Sequence, residues 1–181
     1  MKLLIIRHGD PIYDPDTLTE KGKREAKILA KYLKKQFPDV KDFYISPMGR
    51  AQLTAKPILE EYKKEGETLP WLKEFGPFPG FQRGTIPSTY GCWDYLPEDL
   101  DKDKGLLSDK WAETPTVINS NIPQVYKETT DGVDALLAKY GYRKKGTYFS
   151  VEKGSHDLVV LICHFGIESV ILSYLLNSSP W

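Results

Sequence analysis

Four consecutive apolar residues, Leu3-Leu4-Ile5-Ile6, run straight into Arg7-His8-Gly9. A short apolar run without alternation predicts a strand buried on both faces, as in a parallel α/β sheet. In such sheets ligands bind where strands end and the backbone turns outward. A guanidinium and an imidazole at that place, with a glycine that lets the backbone approach closely, point to a site for an anion. The tripeptide alone reads equally well as a solvated loop start, so the rest of the chain has to decide.

A second apolar run, Leu158-Val159-Val160-Leu161-Ile162-Cys163, leads into His164-Phe165-Gly166. Helix and strand signals alternate between the two runs. Asp10 to Asp16 is a loop by its prolines and aspartates. Thr19 is an N-cap for a helix with Ala26, Leu29, Leu33 and Phe37 inward, ended by Pro38-Asp39. Phe43-Tyr44-Ile45 is a second strand closed by Ser46-Pro47. Arg50 then opens a helix with Ala51, Thr54, Ile58, Leu59 and Tyr62 inward. Leu69 to Leu72 reads as an edge strand, because Pro70 cannot donate to a central ladder, and Glu74 follows it. Ile118 to Tyr140 keeps helical spacing, with Gly141 as C-cap. Tyr142 to Val151 reads as a polar hairpin around Lys145-Gly146. The last helix turns Ile167, Val170, Ile171, Tyr174 and Leu175 inward. The order βα, βα, β, βα predicts an α/β fold, a three-layer αβα sandwich with a mostly parallel central sheet. Parallel neighbours would put His8 and His164 on one edge of that sheet, where Arg7, Arg50 and Glu74 also follow strand ends.

A length of 181 residues fits one domain, 1–181, with a real core. Periodicity fails from about 76 to 116, where prolines and glycines are mixed with Tyr90, Trp93, Tyr95 and Trp111. A stretch of that kind is a functional loop or lid, and its aromatics argue against disorder. Those rings either stack on a ligand or pack the insert's own core. Lys+Arg and Asp+Glu balance at 25 each, which removes the electrostatic case for nucleic acid or an anionic membrane. Any attraction for phosphate must be local. Cys92 and Cys163 make no disulfide framework, which predicts a reducing cytoplasm. No signal peptide or membrane span is legible. Cys163 and His164 are strand neighbours that point to opposite faces, and no metal-ligand spacing occurs. No metal or cofactor is therefore expected. His156, in a turn, is expected to face solvent.

Taken together, Arg7-His8-Gly9, Ser46-Pro47-Met48-Gly49-Arg50-Ala51, Glu74 and His164-Phe165-Gly166, in that order and each at a strand end, resemble the histidine phosphatase superfamily. This is the phosphoglycerate mutase-like group named for its Arg-His-Gly signature. Leu18-Thr19-Glu20-Lys21-Gly22 is similar to the start of that family's first helix. There are departures. Asp10-Pro11 stands where the family has Glu, Gln or Asn and then Thr or Ser. Asp14 stands where many members have a phosphate-contacting Asn, and a carboxylate cannot donate to phosphate. Members commonly carry a further strand after the last helix, where this sequence reads Ser179-Pro180-Trp181.

The resemblance implies a metal-independent phosphatase acting on a small phosphate monoester through a phosphohistidine. His8 would be the nucleophile, attacking through a neutral nitrogen while its other nitrogen donates to a backbone carbonyl. Arg7, Arg50 and His164 would hold the phosphoryl oxygens with His8. Glu74 would be the general acid and then the base. Asp10, Asp14, Tyr90, Trp93 and Asp94 would shape the substrate rim. Two alternatives remain open: a phosphoglycerate-type phosphomutase, and a non-catalytic phospholigand-binding domain on the same scaffold. Oligomeric state is not legible.

Overall fold

Strand β1 (Lys2–Arg7) pairs in parallel with β10 (Leu158–Cys163), Leu3 opposite Val159 and Arg7 opposite Cys163. The chain is described by a computed structural model covering residues 1–78, 93 and 95–181, with the backbone alone at 82–83 and 86–87. β10 pairs in parallel on its other side with β4 (Asp42–Ile45), which in turn pairs with β5 (Glu67–Thr68). The order β1-β10-β4-β5 is wholly parallel. The predicted α/β class holds: a central four-stranded parallel sheet flanked by helices.

The first of two compact units spans 1–74 and 153–165. Helices α1 (Glu20–Gln36) and α2 (Gly49–Tyr62) share one apolar cluster with the sheet. Ile6, Phe43, Ile45, Val160 and Ile162 meet Ala30, Leu33, Ala55, Ile58 and Tyr62 there. These strand residues share one parity, as the two-residue repeat of a strand requires. Thr19 caps α1 as expected, its Oγ1 accepting from the Gly22 N–H at 3.0 Å. Two further strands, β2 (Pro11–Ile12) and β3 (Thr17–Leu18), make a small antiparallel pair between β1 and α1.

Some expectations change. β10 is buried along its whole length, whereas Leu3, Leu4 and Ile5 of β1 are only half-buried. Among the described residues β1 pairs with β10 alone, and an apolar run does not distinguish an inner strand from one at the end of a sheet. The third strand is Glu67–Thr68 rather than Leu69 to Leu72, and Pro70–Leu72 is a 3-10 turn. Pro70 thus ends the pairing instead of marking an edge strand. Phe37 lies beyond the last turn of α1 and is exposed, while Ala30 takes the inward place.

The second unit spans 75–152 and 166–181. Two short backbone strands, β6 (Gln82–Arg83) and β7 (Ile86–Pro87), pair antiparallel. Short helices α3 (Pro97–Lys102) and α4 (Pro115–Ile118) and two 3-10 turns order much of the stretch that lacked periodicity. Pieces this short complete too few turns for a repeat to show. α5 (Ile122–Lys139) buries Ile122, Thr129, Val133, Leu136 and Leu137. The hairpin of β8 (Tyr142–Lys145) and β9 (Tyr148–Val151) forms as expected, with Gly146 at φ +64°. In α6 (Phe165–Leu176) Ile167, Val170 and Ile171 are buried, whereas Tyr174 and Leu175 are half-buried. Trp111 packs edge-on against Phe75, Tyr126 and Trp181. No helix among the described residues is long and apolar enough to cross a membrane.

Candidate active site

The register of β1 and β10 sets Arg7 opposite Cys163, so His8 and His164 leave the sheet side by side. Their ring centroids lie 5.1 Å apart. The ladder runs one residue past each strand: His8 N–H donates to the Cys163 carbonyl at 3.0 Å, and Ser46 N–H to that of Ile162 at 2.9 Å. Backbone pairing thus delivers three side chains to one sheet edge.

His8 is buried, and its Nδ1 lies 2.7 Å from the Gly9 carbonyl oxygen. A carbonyl only accepts, so Nδ1 carries the proton and the lone pair belongs to Nε2. Arg50 Nε–H donates to that lone pair at 3.1 Å. Burial, first of all, and the Arg50 and Arg7 charges hold the His8 imidazole below its usual range; the Gly9 hydrogen bond and Asp16 oppose this. The ring is therefore neutral, as a nucleophilic imidazole must be.

His164 is fully buried and its Nε2 lies 2.7 Å from Ser46 Oγ. Burial, then Arg50 and His8, push its imidazole down to about 3. It is neutral, so any donation to an anion is set by tautomer rather than charge. Ser46 Oγ already accepts from Met48 N–H at 3.2 Å. In the tautomer in which the Ser46 hydroxyl proton points to His164 Nε2, the His164 proton lies on Nδ1. That Nδ1 is buried and has no hydrogen-bond partner among the described residues, so in this tautomer it is a donor held ready for an oxygen from outside.

Arg50 opens α2 and is almost fully buried. Its Nη1 donates to Asp16 Oδ1 at 2.6 Å, and its Nη2 to the Met48 sulfur at 3.6 Å. The ring of Tyr13 lies 5.4 Å from its Cζ. Asp16 Oδ2 accepts from the Gly49 N–H at 2.6 Å. Burial works against the ionised Asp16 carboxyl, but the hydrogen bonds from Arg50 and Gly49 and the Arg50 charge hold it below the usual carboxylate range. Thr54, one turn along α2, accepts from Gly9 N–H at 3.0 Å and donates to the Arg50 carbonyl at 2.8 Å. Gly9 passes so close to Gly22 that a Cβ on it would lie 2.8 Å from the Gly22 carbonyl oxygen.

The other residues singled out in the sequence fall as follows. Arg7 is exposed, its guanidinium 5.7 Å from the centroid of the Phe165 ring, and its charge reaches both histidines. Glu74 is half-buried after the 3-10 turn, its N–H on the Met48 sulfur at 3.3 Å, so one sulfur touches both Glu74 and Arg50. Asp10 accepts from Thr19 Oγ1 at 2.7 Å and lies 3.9 Å from the Lys21 ammonium. Asp14 is exposed in the turn. Trp93 donates from Nε1 to the Phe75 carbonyl at 3.0 Å and packs against Phe75 and Trp181. Tyr90, Cys92 and Asp94 lie outside the described residues. His156 is exposed, and Cys163 is buried. Among the described residues no group of His, Cys, Asp or Glu is placed to hold a metal ion.

Sequence reasoning missed Asp16, Ser46 and Thr54. Counting six residues from His8 led to Asp14, but the carboxylate that reaches Arg50 is two residues on. Ser46 was read as a strand stop and as part of the family motif but given no partner, and Thr54 only as part of an inward face.

A neutral imidazole whose lone pair accepts from a buried guanidinium, with a second buried imidazole beside it, is an arrangement suited to holding an anion. The chain belongs to the histidine phosphatase superfamily (branch 1), whose profile it matches over residues 3–181. It is 39% identical over 176 residues to phosphoserine phosphatase 1 of Hydrogenobacter thermophilus, covering 91% of this chain and 71% of that one. It is 37% identical over 116 residues to the 2,3-bisphosphoglycerate-dependent phosphoglycerate mutase of Thermoplasma acidophilum, covering 56% of this chain and 57% of that one. A crystal structure of phosphoserine phosphatase from Entamoeba histolytica with 3-phosphoglyceric acid superposes with a TM-score of 0.59 at 20% identity, covering 98% of this chain and 81% of that one.

Proposed function

We propose that this chain hydrolyses small phosphate monoesters through a phosphohistidine on His8. The observation that carries the reading is the His8 ring itself: Nδ1 on the Gly9 carbonyl, and the Nε2 lone pair facing Arg50 Nε 3.1 Å away. In the first step Nε2 attacks phosphorus, the P–N bond forms and the P–O bond to the leaving group breaks. Glu74 gives its proton to the departing alkoxide. In the second step Glu74 takes a proton from water, the water oxygen attacks phosphorus, and the P–N bond breaks to restore His8 and release inorganic phosphate. Arg7, Arg50 and the Nδ1–H of His164 stabilise charge on the equatorial oxygens, which removes the need for a metal ion.

Likeness to a phosphoserine phosphatase at 39% identity supports a small phosphorylated metabolite as substrate, with phosphoserine the first to try. The whole chain is read as one histidine phosphatase-like domain, with Asp10 and Asp14 at the substrate rim. A cytoplasmic setting fits two cysteines without a disulfide framework.

The test is steady-state hydrolysis of p-nitrophenyl phosphate, phosphoserine and 3-phosphoglycerate by the wild type and His8→Ala. Turnover in the wild type and loss in the variant are expected. Phosphoryl transfer between two phosphoglycerates in place of phosphate release would make it a mutase. Binding of these compounds by a wild type that turns over none would make it a phospholigand-binding domain.

A further inference from the structure

One heavily bonded carboxylate in the first unit is not used by the hydrolytic mechanism. Asp16 lies in the turn between β2 and β3, 34 residues before Arg50, yet it receives three donors from the start of α2. Gly49 N–H reaches Oδ2 at 2.6 Å, Arg50 N–H reaches Oδ1 at 3.4 Å, and Arg50 Nη1 reaches Oδ1 at 2.6 Å. The residue in the capping position, Met48, makes no side-chain capping hydrogen bond. Asp16 therefore caps α2 from a distance, and the backbone donors hold it there independently of the guanidinium. Gly49 is part of the fit, since a methyl group on it would collide with the Asp16 carbonyl oxygen.

The consequence falls on Arg50. A guanidinium is a rigid plane, so fixing Nη1 on a held carboxylate fixes the direction of Nε. That direction is onto His8 Nε2. We propose that Asp16 is a positioning residue for the transfer reaction: it clamps one side of the Arg50 fork so that Nε–H is aimed at the attack line between His8 and an incoming phosphoryl group. With Nη1 clamped, Arg50 has only to pass Nε–H from the imidazole to a phosphoryl oxygen, which frees the His8 lone pair as substrate arrives. The carboxylate also offsets part of the positive charge around His8. The charged and titratable groups facing His8 are Arg7, Arg50, Asp16 and His164. The inference rests on the phosphohistidine reading for its catalytic half; its electrostatic half follows from the Asp16 carboxylate lying on Arg50, which in turn lies on His8.

The experiment uses Asp16→Asn and Asp16→Ala with two readouts. An amide can accept from Gly49 or from Arg50 Nη1 but cannot replace both carboxylate oxygens, so Asp16→Asn keeps at most one of the two contacts and removes the charge. Under conditions where both variants are folded, kcat for p-nitrophenyl phosphate should fall at least about tenfold in each, with KM changing far less. The His8 ring, titrated by NMR without substrate, should move to a lower midpoint, because Arg7 and Arg50 are left unopposed. A kcat within about threefold of wild type together with an unmoved His8 midpoint would overturn the proposal, leaving a helix cap alone. A raised kcat/KM would overturn it too, since Asp16 would then be a competitor for Arg50. A wild type that turns over no ester, while the His8 midpoint still drops in Asp16→Asn, would sink the phosphatase reading and leave the clamp standing.

Discussion

Replacing His164 with asparagine should flatten the loss of stability that acid imposes on this protein. The native imidazole is held at about 3 by burial and by the Arg50 and His8 charges, whereas in the unfolded chain it returns to 6.5. Its native pKa is depressed, so below 6.5 the unfolded state binds a proton that the native state refuses. The contribution is whole above that value and is lost as pH falls towards about 3. Each unit in that window costs about 1.4 kcal/mol. Between about pH 7 and about pH 5 the loss from this one ring is about 2 kcal/mol, a large part of an ordinary domain's stability. Urea unfolding followed by tryptophan fluorescence, at both pH values, gives the loss for wild type and for His164→Asn. The variant is less stable throughout, because it leaves space beside Ser46, so the comparison is between the two pH losses. Losses that agree within about 0.5 kcal/mol would refute the reasoning.

Other outcomes follow from the same geometry. Arg50→Ala should cost at least about a hundredfold in kcat for p-nitrophenyl phosphate, since it removes the buried donor from the phosphoryl oxygens; a loss under about threefold would show that the group is not at the reacting centre. The acid limb of kcat/KM should lie below 6.5, because burial and the neighbouring arginines keep His8 neutral to lower pH; a limb at or above that value contradicts the assigned protonation state. Thr54→Val should lower stability by about 1–3 kcal/mol, because the half-buried Gly9 N–H loses its acceptor; denaturant titration with an unchanged midpoint would count against that bond.

The sheet was legible because its strands are extreme cases. Leu158 to Cys163 has no polar residue, and the structure buries all six. Thr19 was legible as a cap because capping is local chemistry. The third strand was not, since Glu67–Thr68 has only two residues and the leucines that attracted notice belong to the turn after it. The meeting of His8 and His164 could be argued from two strand ends, as parallel pairing brings such ends together. What surrounds them could not. Asp16 finds Arg50 across 34 positions through a turn whose shape no periodicity encodes, and Ser46 finds His164 across 118. The His8 tautomer, by contrast, rests on the carbonyl of its own neighbour Gly9, a local contact that the sequence reading could anticipate.

The central claim is a covalent one and can be tested as such. Wild-type protein mixed with a phosphate monoester and quenched in base within the first turnover should carry one phosphoryl group on the peptide containing His8, stable to base and released by acid. His8→Ala should carry none. A phosphoryl group on any other residue, or full turnover by the His8→Ala protein, would contradict the account.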